Sequence, residues 1–426
     1  MNKVKISCIL ATAIMINGSL VFADTNVKGD VKSNKTVIVT AKAENDNKVS
    51  KNISKEVSKV VTFKDKNLEK CIRDEIDKAQ GDIYFNELQE ITELNLRNKN
   101  ITNIEGIENL HKLKVLNLGK NRMADFSPIK DLTNLTNLYL YDDGIKNIDF
   151  VKNLKRLKSL LIAKNKVSDL SPLQNLYSLK YLTLSDNNIK SIAPISKLPK
   201  LEVLMINKNN ISNIDELKSL VTLTDVNLDE NNLTSINAVQ YLVNLKRLSA
   251  NKNSIRNIPN LNKLNKLEYL SLKENNIHSI GGLSALYNLK KLYLDQNEIS
   301  NIQALKGLTS LTHLGLWQNR VTNISYISNL TNLTNLYLYE NQISNIDSLR
   351  HLSNLSVLYL DKNNITSINA LGKLYNLETL SLSDNNISNI NSLRNLNKLD
   401  KLDLSDNNVS EDTISHVVSP DVDVTD

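Results

Sequence analysis

From Ile91 onward, the apolar positions of this chain recur every 22 residues without an insertion or a deletion. The repeated pattern is L-x-x-L-x-L-x-x-N-x-I-x-x-I-x-x-L-x-x-L-x-x. Its fifteen copies begin at Ile91, Leu113, Leu135, Leu157, Leu179, Leu201, Leu223, Leu245, Leu267, Leu289, Leu311, Leu333, Leu355, Leu377 and Leu399. A fixed period of this length predicts a stack of similar units, each of which packs against its neighbours.

Each repeat contains two spacings, which predict two kinds of element. The L-x-L alternation has the period of a β-strand with one buried face. The second half, I-x-x-I-x-x-L-x-x-L, has a three-residue spacing that favours a short 3₁₀ turn over a full α-helix. An asparagine follows the strand in thirteen of the fifteen copies, with Lys99 and Asp143 as the exceptions. Because an amide both donates and accepts hydrogen bonds, this column is predicted to bond backbone groups of adjacent repeats.

Together these elements predict a leucine-rich repeat solenoid. We expect a right-handed superhelix with a parallel, concave β-sheet of about fifteen strands, a 3₁₀ or irregular convex side and an N-terminal helical cap. Such a stack presents a long curved surface, which favours binding over catalysis.

The N-terminus has the pattern of a secretory signal peptide. Lys3 and Lys5 precede an apolar run over residues 6–16, and Val21-Phe22-Ala23 provides a cleavage site before Asp24. This run is too short to span a bilayer, which needs about 20 apolar residues. We therefore predict a signal peptide over residues 1–23 and a secreted, extracellular protein. Residues 24–60 are rich in Lys, Asn and Ser, and are predicted to form a disordered linker.

Residues 61–90 are predicted to form the N-terminal helical cap. Asp65 can cap a helix whose apolar stripe includes Leu68, Ile72 and Ile76, and Gly81 is placed to end it. The repeats then occupy residues 91–410. Residues 411–426 are expected to form a short C-terminal cap or tail, in which no wall anchor is evident.

The net charge of +6 is concentrated at the N-terminus. Residues 1–60 contain ten lysines and five acidic residues, so the remainder of the chain carries only +1. We therefore expect no basic stripe and no nucleic-acid partner. If Cys8 is removed with the signal peptide, Cys71 is the only remaining cysteine, and the mature chain has no internal disulfide.

A helical cap that leads directly into 22-residue repeats, behind a signal peptide, resembles the bacterial internalin-like family. The resemblance covers residues 61 to about 410 and is carried by Phe63-Lys64-Asp65-Lys66-Asn67-Leu68, Gly81-Asp82-Ile83 and Asp125-Phe126-Ser127-Pro128-Ile129. Characterised members of that family are secreted or surface-exposed and typically bind host proteins through the concave face. The resemblance therefore implies a protein ligand. We expect this ligand to be a host or cell-envelope protein and the chain to be a monomer.

Three positions per repeat are predicted to face outward from the sheet, at two, four and six residues after the first leucine. They hold eight of the fourteen tyrosines and the single tryptophan. The densest group is predicted to bind a partner, because Tyr and Trp dominate protein interfaces. It consists of Tyr293, Asp295, His313, Trp317, Tyr337, Tyr339, Tyr359 and Asp361. Gly315 lies among them and is expected to leave a hollow beside Trp317.

A secondary patch is predicted at Tyr139, Tyr141, Leu161, Tyr181 and Met205. Two alternatives explain the aromatic residues without a ligand. Tyrosine and tryptophan favour strands in general. Duplication also contributes, because residues 133–141 recur identically at 331–339. The residue before the ladder position alternates in charge from Lys120 to Glu274, and this alternation stops at Gln296 and Gln318, beside the aromatic group.

No catalytic residue, metal site or cofactor is predicted. The five histidines are scattered without the spacing of a zinc site or a catalytic triad. The sequence therefore predicts a secreted bacterial protein that binds another protein through its concave aromatic face. Two alternatives stay open: a structural or cell-envelope spacer without one dedicated ligand, and an intracellular scaffold similar to phosphatase-regulatory subunits.

Overall fold

The computed structural model describes residues 59–425 and, nearer the N-terminus, the backbone of two strands. These strands are β1 (Thr12–Ile16) and β2 (Ser19–Ala23), which pair antiparallel. The rest of the predicted signal peptide (residues 1–23) and nearly all of the predicted linker (24–60) lie outside the described residues. The chain divides into two compact units, Met1–Leu138 and Tyr139–Asp426.

The repeats form a parallel sheet whose strands follow one another in chain order, as the sequence predicts. Each strand has three residues, and its middle residue is a leucine or a valine. The strands are β5 (Glu93–Asn95), β6 (Val115–Asn117), β7 (Asn137–Tyr139), β8 (Ser159–Leu161), β9 (Tyr181–Thr183), β10 (Val203–Met205), β11 (Asp225–Asn227), β12 (Arg247–Ser249), β13 (Tyr269–Ser271), β14 (Lys291–Tyr293), β15 (His313–Gly315), β16 (Asn335–Tyr337), β17 (Val357–Tyr359), β18 (Thr379–Ser381), β19 (Lys401–Asp403) and β20 (Asp423–Thr425).

Short 3₁₀ helices occupy the second half of most repeats, which confirms the interpretation of the three-residue spacing. In the described residues they are Ile107–Asn109, Ser127–Asp131, Asp149–Val151, Ser171–Leu173, Ala193–Ile195, Asp215–Ser219, Asn237–Tyr241, Gly281–Leu283, Gln303–Leu305, Ser325–Ile327, Asp347–His351, Asn369–Lys373 and Asn391–Asn395. The leucines and isoleucines of the pattern form the core, and many of them have no exposed surface. The hydrophobic effect therefore drives every repeat to the same register.

The asparagine column forms the predicted ladder. Asn275 shows the pattern: its Nδ2 donates to the carbonyls of Ala250 (3.0 Å) and Leu272 (3.1 Å), and its Oδ1 accepts from the Ile255 N–H at 3.0 Å. The same arrangement recurs along the C-terminal unit, for example at Asn319. Each amide thus satisfies buried backbone groups of its own repeat and of the preceding one, which would otherwise be costly.

The residue immediately before each ladder position adopts a left-handed backbone conformation. Asp186 has φ 59° and Lys252 has φ 52°, and the series extends to Asp406 with no glycine in it. This conformation costs roughly 1–2 kcal/mol for a residue that has a Cβ. In the thirteen repeats that carry the asparagine, its hydrogen bonds help to offset that cost.

A two-stranded antiparallel sheet and two helices precede the repeats. Strands β3 (Val60–Val61) and β4 (Ile83–Tyr84) pair antiparallel, and helices α1 (Lys66–Glu75) and α2 (Phe85–Leu88) follow β3 and β4, respectively. Asp65 caps α1 as predicted, since its Oδ1 accepts from the N–H groups of Asn67 (2.9 Å) and Leu68 (3.0 Å). The predicted end at Gly81 is wrong. The helix ends at Glu75 because Asp77, with φ 51°, already provides the left-handed residue.

The C-terminal segment contains more structure than the sequence predicts. Helix α3 (Glu411–Val417) begins at Ser410, whose side chain accepts from the Thr413 N–H. The chain then forms β20, which pairs in parallel with β19. The sheet has sixteen strands, in agreement with the expected number of about fifteen, and the last strand, at residues 423–425, joins it without carrying the repeat pattern.

Candidate binding surface

The outward face of the C-terminal unit brings the predicted aromatic group together. Strand pairing places Gly315 beside Tyr293 on one side and Tyr337 on the other, and Tyr337 beside Tyr359. The leucines between these positions, such as Leu314 and Leu336, are fully buried. The alternation predicted for the strands is therefore present, and the side chains at four residues after each first leucine form one column.

Four aromatic side chains form two stacked pairs, and we call them the aromatic cluster: Trp317, Tyr337, Tyr339 and Tyr359. The rings of Trp317 and Tyr339 stack with centroids 4.8 Å apart and planes 9° apart. Tyr337 and Tyr359 stack at 5.6 Å and 27°. Tyr339 also contacts Tyr359 at 6.4 Å, with tilted planes. All four are half-buried, so each keeps part of its surface available while its neighbours restrict its rotamers.

The surroundings of the cluster are acidic. Burial raises the pKa of Tyr339 to about 12, and the charges of Asp295 and Glu340 add to this shift. Burial also raises the pKa of Tyr359, with further contributions from Tyr337 and Asp361. The phenols therefore stay protonated at neutral pH and can donate hydrogen bonds to a ligand.

Asp295 does not have the exposed position that the sequence predicts. Its side chain is 1% exposed, and Oδ2 lies 2.9 Å from the Lys273 ammonium. Its Oδ1 accepts from the Trp317 N–H at 3.3 Å. The hollow expected at Gly315 does not exist either, because the Asp295 carboxylate occupies the space that a Cβ on Gly315 would need. Asp295 therefore supports the cluster from below and offers almost no surface to a partner.

Desolvation raises the pKa of Asp295, and Lys273 opposes this shift. Lys273 also lies 4.5 Å from the centre of the Tyr293 ring, in a cation–π contact. Burial raises the pKa of Tyr293 to about 12. The prediction omitted Lys273 as a site residue, although it occupies an outward position six residues after Leu267.

A second cation–π contact extends the surface toward the middle of the chain. Arg247 lies 4.4 Å from the centre of the Tyr269 ring, and Tyr269 contacts Tyr293 at 5.8 Å between centroids. The rule for outward positions includes both residues, but the density of aromatic side chains alone did not select them. The surface therefore starts at β12, two strands before the predicted group.

The two remaining predicted residues are held by neighbours. His313 is half-buried, its Nδ1 lies 2.9 Å from Thr312 Oγ1, and burial together with Lys291 lowers its pKa. Asp361 accepts hydrogen bonds from the side chains of Ser381 and Ser383. Both lie at the border of the cluster, so they can orient a ligand only from its edge.

The secondary patch is less uniform than predicted. Tyr139, Tyr141 and Met205 are half-buried and Tyr181 is 39% exposed. Leu161 is buried, with 9% of its surface exposed, so its inclusion as an exposed contact residue is wrong. Burial of its apolar side chain is favourable and makes it part of the packing.

The residues immediately before the ladder positions form a polar column beside the cluster, and the interactions within this column change where the charge alternation ends. Lys252 pairs with Glu274 at 3.8 Å, whereas Gln296 donates to Gln318 at 2.7 Å and Gln318 donates to Glu340 at 3.0 Å. Amide hydrogen bonds thus replace ion pairs along this part of the column. A surface with fewer charges requires less desolvation when a partner binds.

The described residues contain no group of three or more His, Cys, Asp or Glu side chains placed to hold a metal ion. None of the helices in residues 59–425 is long and apolar enough to cross a bilayer. The chemistry available on this surface consists of ring stacking, cation–π contacts and hydrogen bonding. These are the interactions of a recognition surface.

Comparison with known proteins identifies the repeat type. A model described as leucine-rich repeats (two copies) matches residues 89–131, 111–153, 177–219, 265–307, 309–351 and 331–373. A second leucine-rich repeat model matches residues 353–409. No curated protein matches the sequence.

Solved structures give the same result. The chain is 32% identical to an internalin of Listeria monocytogenes, InlF, with a TM-score of 0.68, and the match covers 80% of this chain and 95% of that one. It is 22% identical to the functional domain of InlJ from the same bacterium, with a TM-score of 0.69 and 82% coverage of both chains. The Drosophila Toll–Spatzle complex also matches, at 22% identity and a TM-score of 0.62, over 78% of this chain and 53% of that chain.

Proposed function

The chain belongs to the internalin-like leucine-rich repeat proteins, and on this premise we propose that it is a secreted bacterial protein that binds a protein ligand through the aromatic cluster. Proteins of this repeat class mediate protein–protein interaction, and the outward surface is the part of each repeat that the core leaves free. The ligand is proposed to be a host or cell-envelope protein.

The observation that carries this proposal is the stacking of Trp317, Tyr337, Tyr339 and Tyr359 on one face. Buried positions are already filled by leucine and isoleucine, so core packing does not require these rings. Aromatic side chains that are held by their neighbours bury a large area at little cost in rotamer entropy. Their position beside a column with reduced charge favours a protein partner.

The relatives support a protein ligand and an extracellular location. The internalin of Listeria monocytogenes matches over nearly its whole length. The Toll structure is a complex with the protein Spatzle, so a protein with this fold can bind another protein. The charged start, apolar run and Val21-Phe22-Ala23 site support secretion, which N-terminal sequencing of protein from culture medium tests by asking whether the chain begins at Asp24.

A matched pair of triple variants tests the surface. In the cluster variant, Trp317→Ala, Tyr337→Ala and Tyr339→Ala are combined. The control variant combines Lys146→Ala, Lys190→Ala and Arg256→Ala, which shorten three exposed side chains far from the cluster. Both are immobilised and exposed to host-cell and bacterial-envelope extracts, and the retained proteins are identified by mass spectrometry.

We expect at least one protein to be retained by the wild type and by the control variant, and to be lost from the cluster variant. Each hot-spot side chain contributes about 2 kcal/mol or more, so the three losses should weaken binding by a factor above about one hundred. Circular dichroism melting verifies that both variants fold. Equal retention by all three proteins, or no protein retained above the cluster variant, would reject the proposal.

A further inference from the structure

One side of the C-terminal unit carries basic residues without any acidic ones. It consists of the six positions that lie 16 to 21 residues after the first leucine of each repeat, from the repeat at Leu135 to the repeat at Leu377. In most of these repeats they cover the end of the 3₁₀ segment and the residues that follow it. These positions contain thirteen Lys or Arg residues and no Asp or Glu. We call them the basic edge: Lys152, Lys155, Arg156, Lys197, Lys200, Lys218, Lys263, Lys266, Lys306, Arg350, Lys373, Arg394 and Lys398. All thirteen side chains are exposed.

Hydrogen bonds between repeats align these positions. The side chain of Asn244 donates to the Val221 carbonyl of the preceding repeat at 2.9 Å, and Asn376 donates to the Ser353 carbonyl at 2.9 Å. The same bond occurs at three intermediate repeats. Because neighbouring strands lie about 4.8 Å apart, equivalent positions form a continuous row along the unit.

The charges of the basic edge differ from those at the strand ends in having few internal partners. At the strand ends, Lys208 pairs with Glu230 at 3.6 Å and Lys252 pairs with Glu274 at 3.8 Å. On the edge, Arg350 pairs with Asp347 at 3.3 Å. In contrast, Lys197, Lys200, Lys218, Lys263, Lys306, Lys373 and Arg394 form no ion pair with the described residues.

Acidic residues flank the edge, and two of them on the strand side already have cationic partners. Glu202 pairs with Lys180 at 2.6 Å and Glu268 pairs with Lys290 at 3.0 Å. Unpaired cations in a row repel one another and attract an anionic ligand over about 10 Å at 0.1 M salt. The arrangement therefore fits a partner whose negative charges are also arranged in a row.

Exposed tyrosines lie between the basic groups. Tyr177 is 51% exposed and Tyr287 is 61% exposed, and each lies in a repeat whose edge positions contain no cation. Tyr241 has the same setting. An aromatic ring on a hydrophilic edge offers an apolar face, and sugar rings can lie against such a face through their C–H groups. The asparagines, serines and threonines of the edge provide hydrogen-bonding groups for hydroxyls.

We propose that the basic edge binds a linear anionic polysaccharide, with its sulfate or phosphate groups at the lysines and its sugar rings at the tyrosines. Single-stranded nucleic acid is less suited, because the tyrosines are two or more repeats apart and cannot support successive stacked bases. An anionic membrane is also less suited, because the exposed apolar side chains Val221 and Val243, at equivalent positions of neighbouring repeats, are too few and too small to form an insertable apolar face.

Binding of purified full-length protein to immobilised polymers tests the proposal. The probes are heparin for sulfate esters and phosphomannan for phosphodiesters, with dextran as the uncharged reference. A thirty-residue oligo-dT and vesicles that contain phosphatidylserine represent the two other ligand classes. The edge variant combines Lys197→Glu, Lys200→Glu and Lys263→Glu. The matched control combines Lys146→Glu, Lys190→Glu and Arg256→Glu, which are exposed, form no ion pair with the described residues and lie beyond the opposite ends of the strands.

The wild type should bind heparin or phosphomannan at 0.15 M NaCl, and the stronger of the two identifies the anionic group. The edge variant should bind at least tenfold more weakly, while the control variant should change less than threefold. Raising the salt concentration should weaken polysaccharide binding more steeply for the wild type than for the edge variant, because binding of the variant releases fewer counterions. The cluster variant should bind the polysaccharides as the wild type does, which separates this site from the proposed protein-binding surface.

Equal losses in the edge and control variants would show that net charge alone attracts the polymer and would overturn the proposal. Tighter binding to oligo-dT or to the vesicles than to either polysaccharide would overturn it as well, as would binding to neither polysaccharide. If the edge variant melts at a lower temperature than the control, the neutral substitutions Lys197→Gln, Lys200→Gln and Lys263→Gln replace it, and a threefold or greater loss is then expected.

Discussion

The close approach of Gly315 to Asp295 predicts that a single added methyl group destabilises the aromatic surface. A Cβ at position 315 would lie within 3 Å of three atoms of the Asp295 carboxylate, a separation that real Cβ atoms essentially never show. The carboxylate is buried and bonded to Lys273, so it cannot move aside into solvent without losing that partner. Gly315→Ala therefore forces a rearrangement beneath Trp317.

The cost can be worked from these contacts. Overpacking of a close-packed site costs about 1–3 kcal/mol. Breaking a fully buried ion pair costs about 3–5 kcal/mol, but Lys273 is about one-third exposed, so a smaller part of that penalty applies. We expect Gly315→Ala to lower the free energy of unfolding by about 2–3 kcal/mol.

Equilibrium unfolding in urea measures this change, with circular dichroism for the whole chain and the fluorescence of Trp317, the only tryptophan, for the site. A double-mutant cycle with Asp295→Ala isolates the clash, since the methyl group then meets empty space. The coupling energy should be at least about 1 kcal/mol. Gly281→Ala is the control, because the nearest atom to its Cβ is 3.9 Å away, and it should stay within about 0.5 kcal/mol of wild type. A Gly315→Ala cost that is equally large without the Asp295 carboxylate would refute this reasoning.

Three further predictions concern stability. Asn275→Ala should lower the free energy of unfolding in urea by about 2–3 kcal/mol, because it leaves buried backbone groups of two repeats without partners; a loss under about 0.5 kcal/mol would contradict the ladder's role. Asp186→Val should cost about 1–2 kcal/mol because a β-branched residue is strained at φ 59°, whereas Lys190→Val nearby should be nearly neutral; equal effects would argue against strain. Burial alone would raise the pKa of Asp65, but hydrogen bonds from Thr102 and Leu68 leave it below its ordinary value of 3.8. Asp65→Ala should therefore cost about 1–2 kcal/mol at pH 7, and this difference from wild type should vanish as the pH falls below 3.8 through the folded-state pKa; a pH-independent difference would show that the carboxylate charge is not involved.

The sequence predicts the interior of the repeats well, because the buried positions and the ladder recur with the 22-residue period. The strand at residues 335–337, the buried Leu336 and the ladder role of Asn341 all follow from spacing within one 22-residue unit. The edges of the array are harder to predict. Asp77, with its left-handed backbone, ends α1 before Gly81. Residues 423–425 form a strand because they pair with the free edge of β19, and the 22-residue pattern does not predict this pairing.

The sequence predicts the aromatic side chains of the candidate surface but not the arrangement of charged side chains around them. Outward spacing is enough to place Trp317 and Tyr339, but the burial of Asp295 depends on the missing side chain of Gly315 one strand away. The net charge of residues 61–426 is only +1, so a sum along the chain does not show the basic edge. Acids and bases share several repeat positions but acids are absent from the six positions of the edge, so only a sum by repeat position separates this surface.

The uniform left-handed turn before every ladder asparagine has an evolutionary consequence. In each repeat the chain leaves the sheet at the same repeat position and with the same backbone geometry. Two arrays that are joined by unequal crossing-over between equivalent positions therefore still stack correctly. The identical nine-residue segments at 133–141 and 331–339 are what such an exchange would leave behind. The outward surface of this chain can therefore be lengthened, shortened or transplanted in whole repeats, each of which folds like its neighbours.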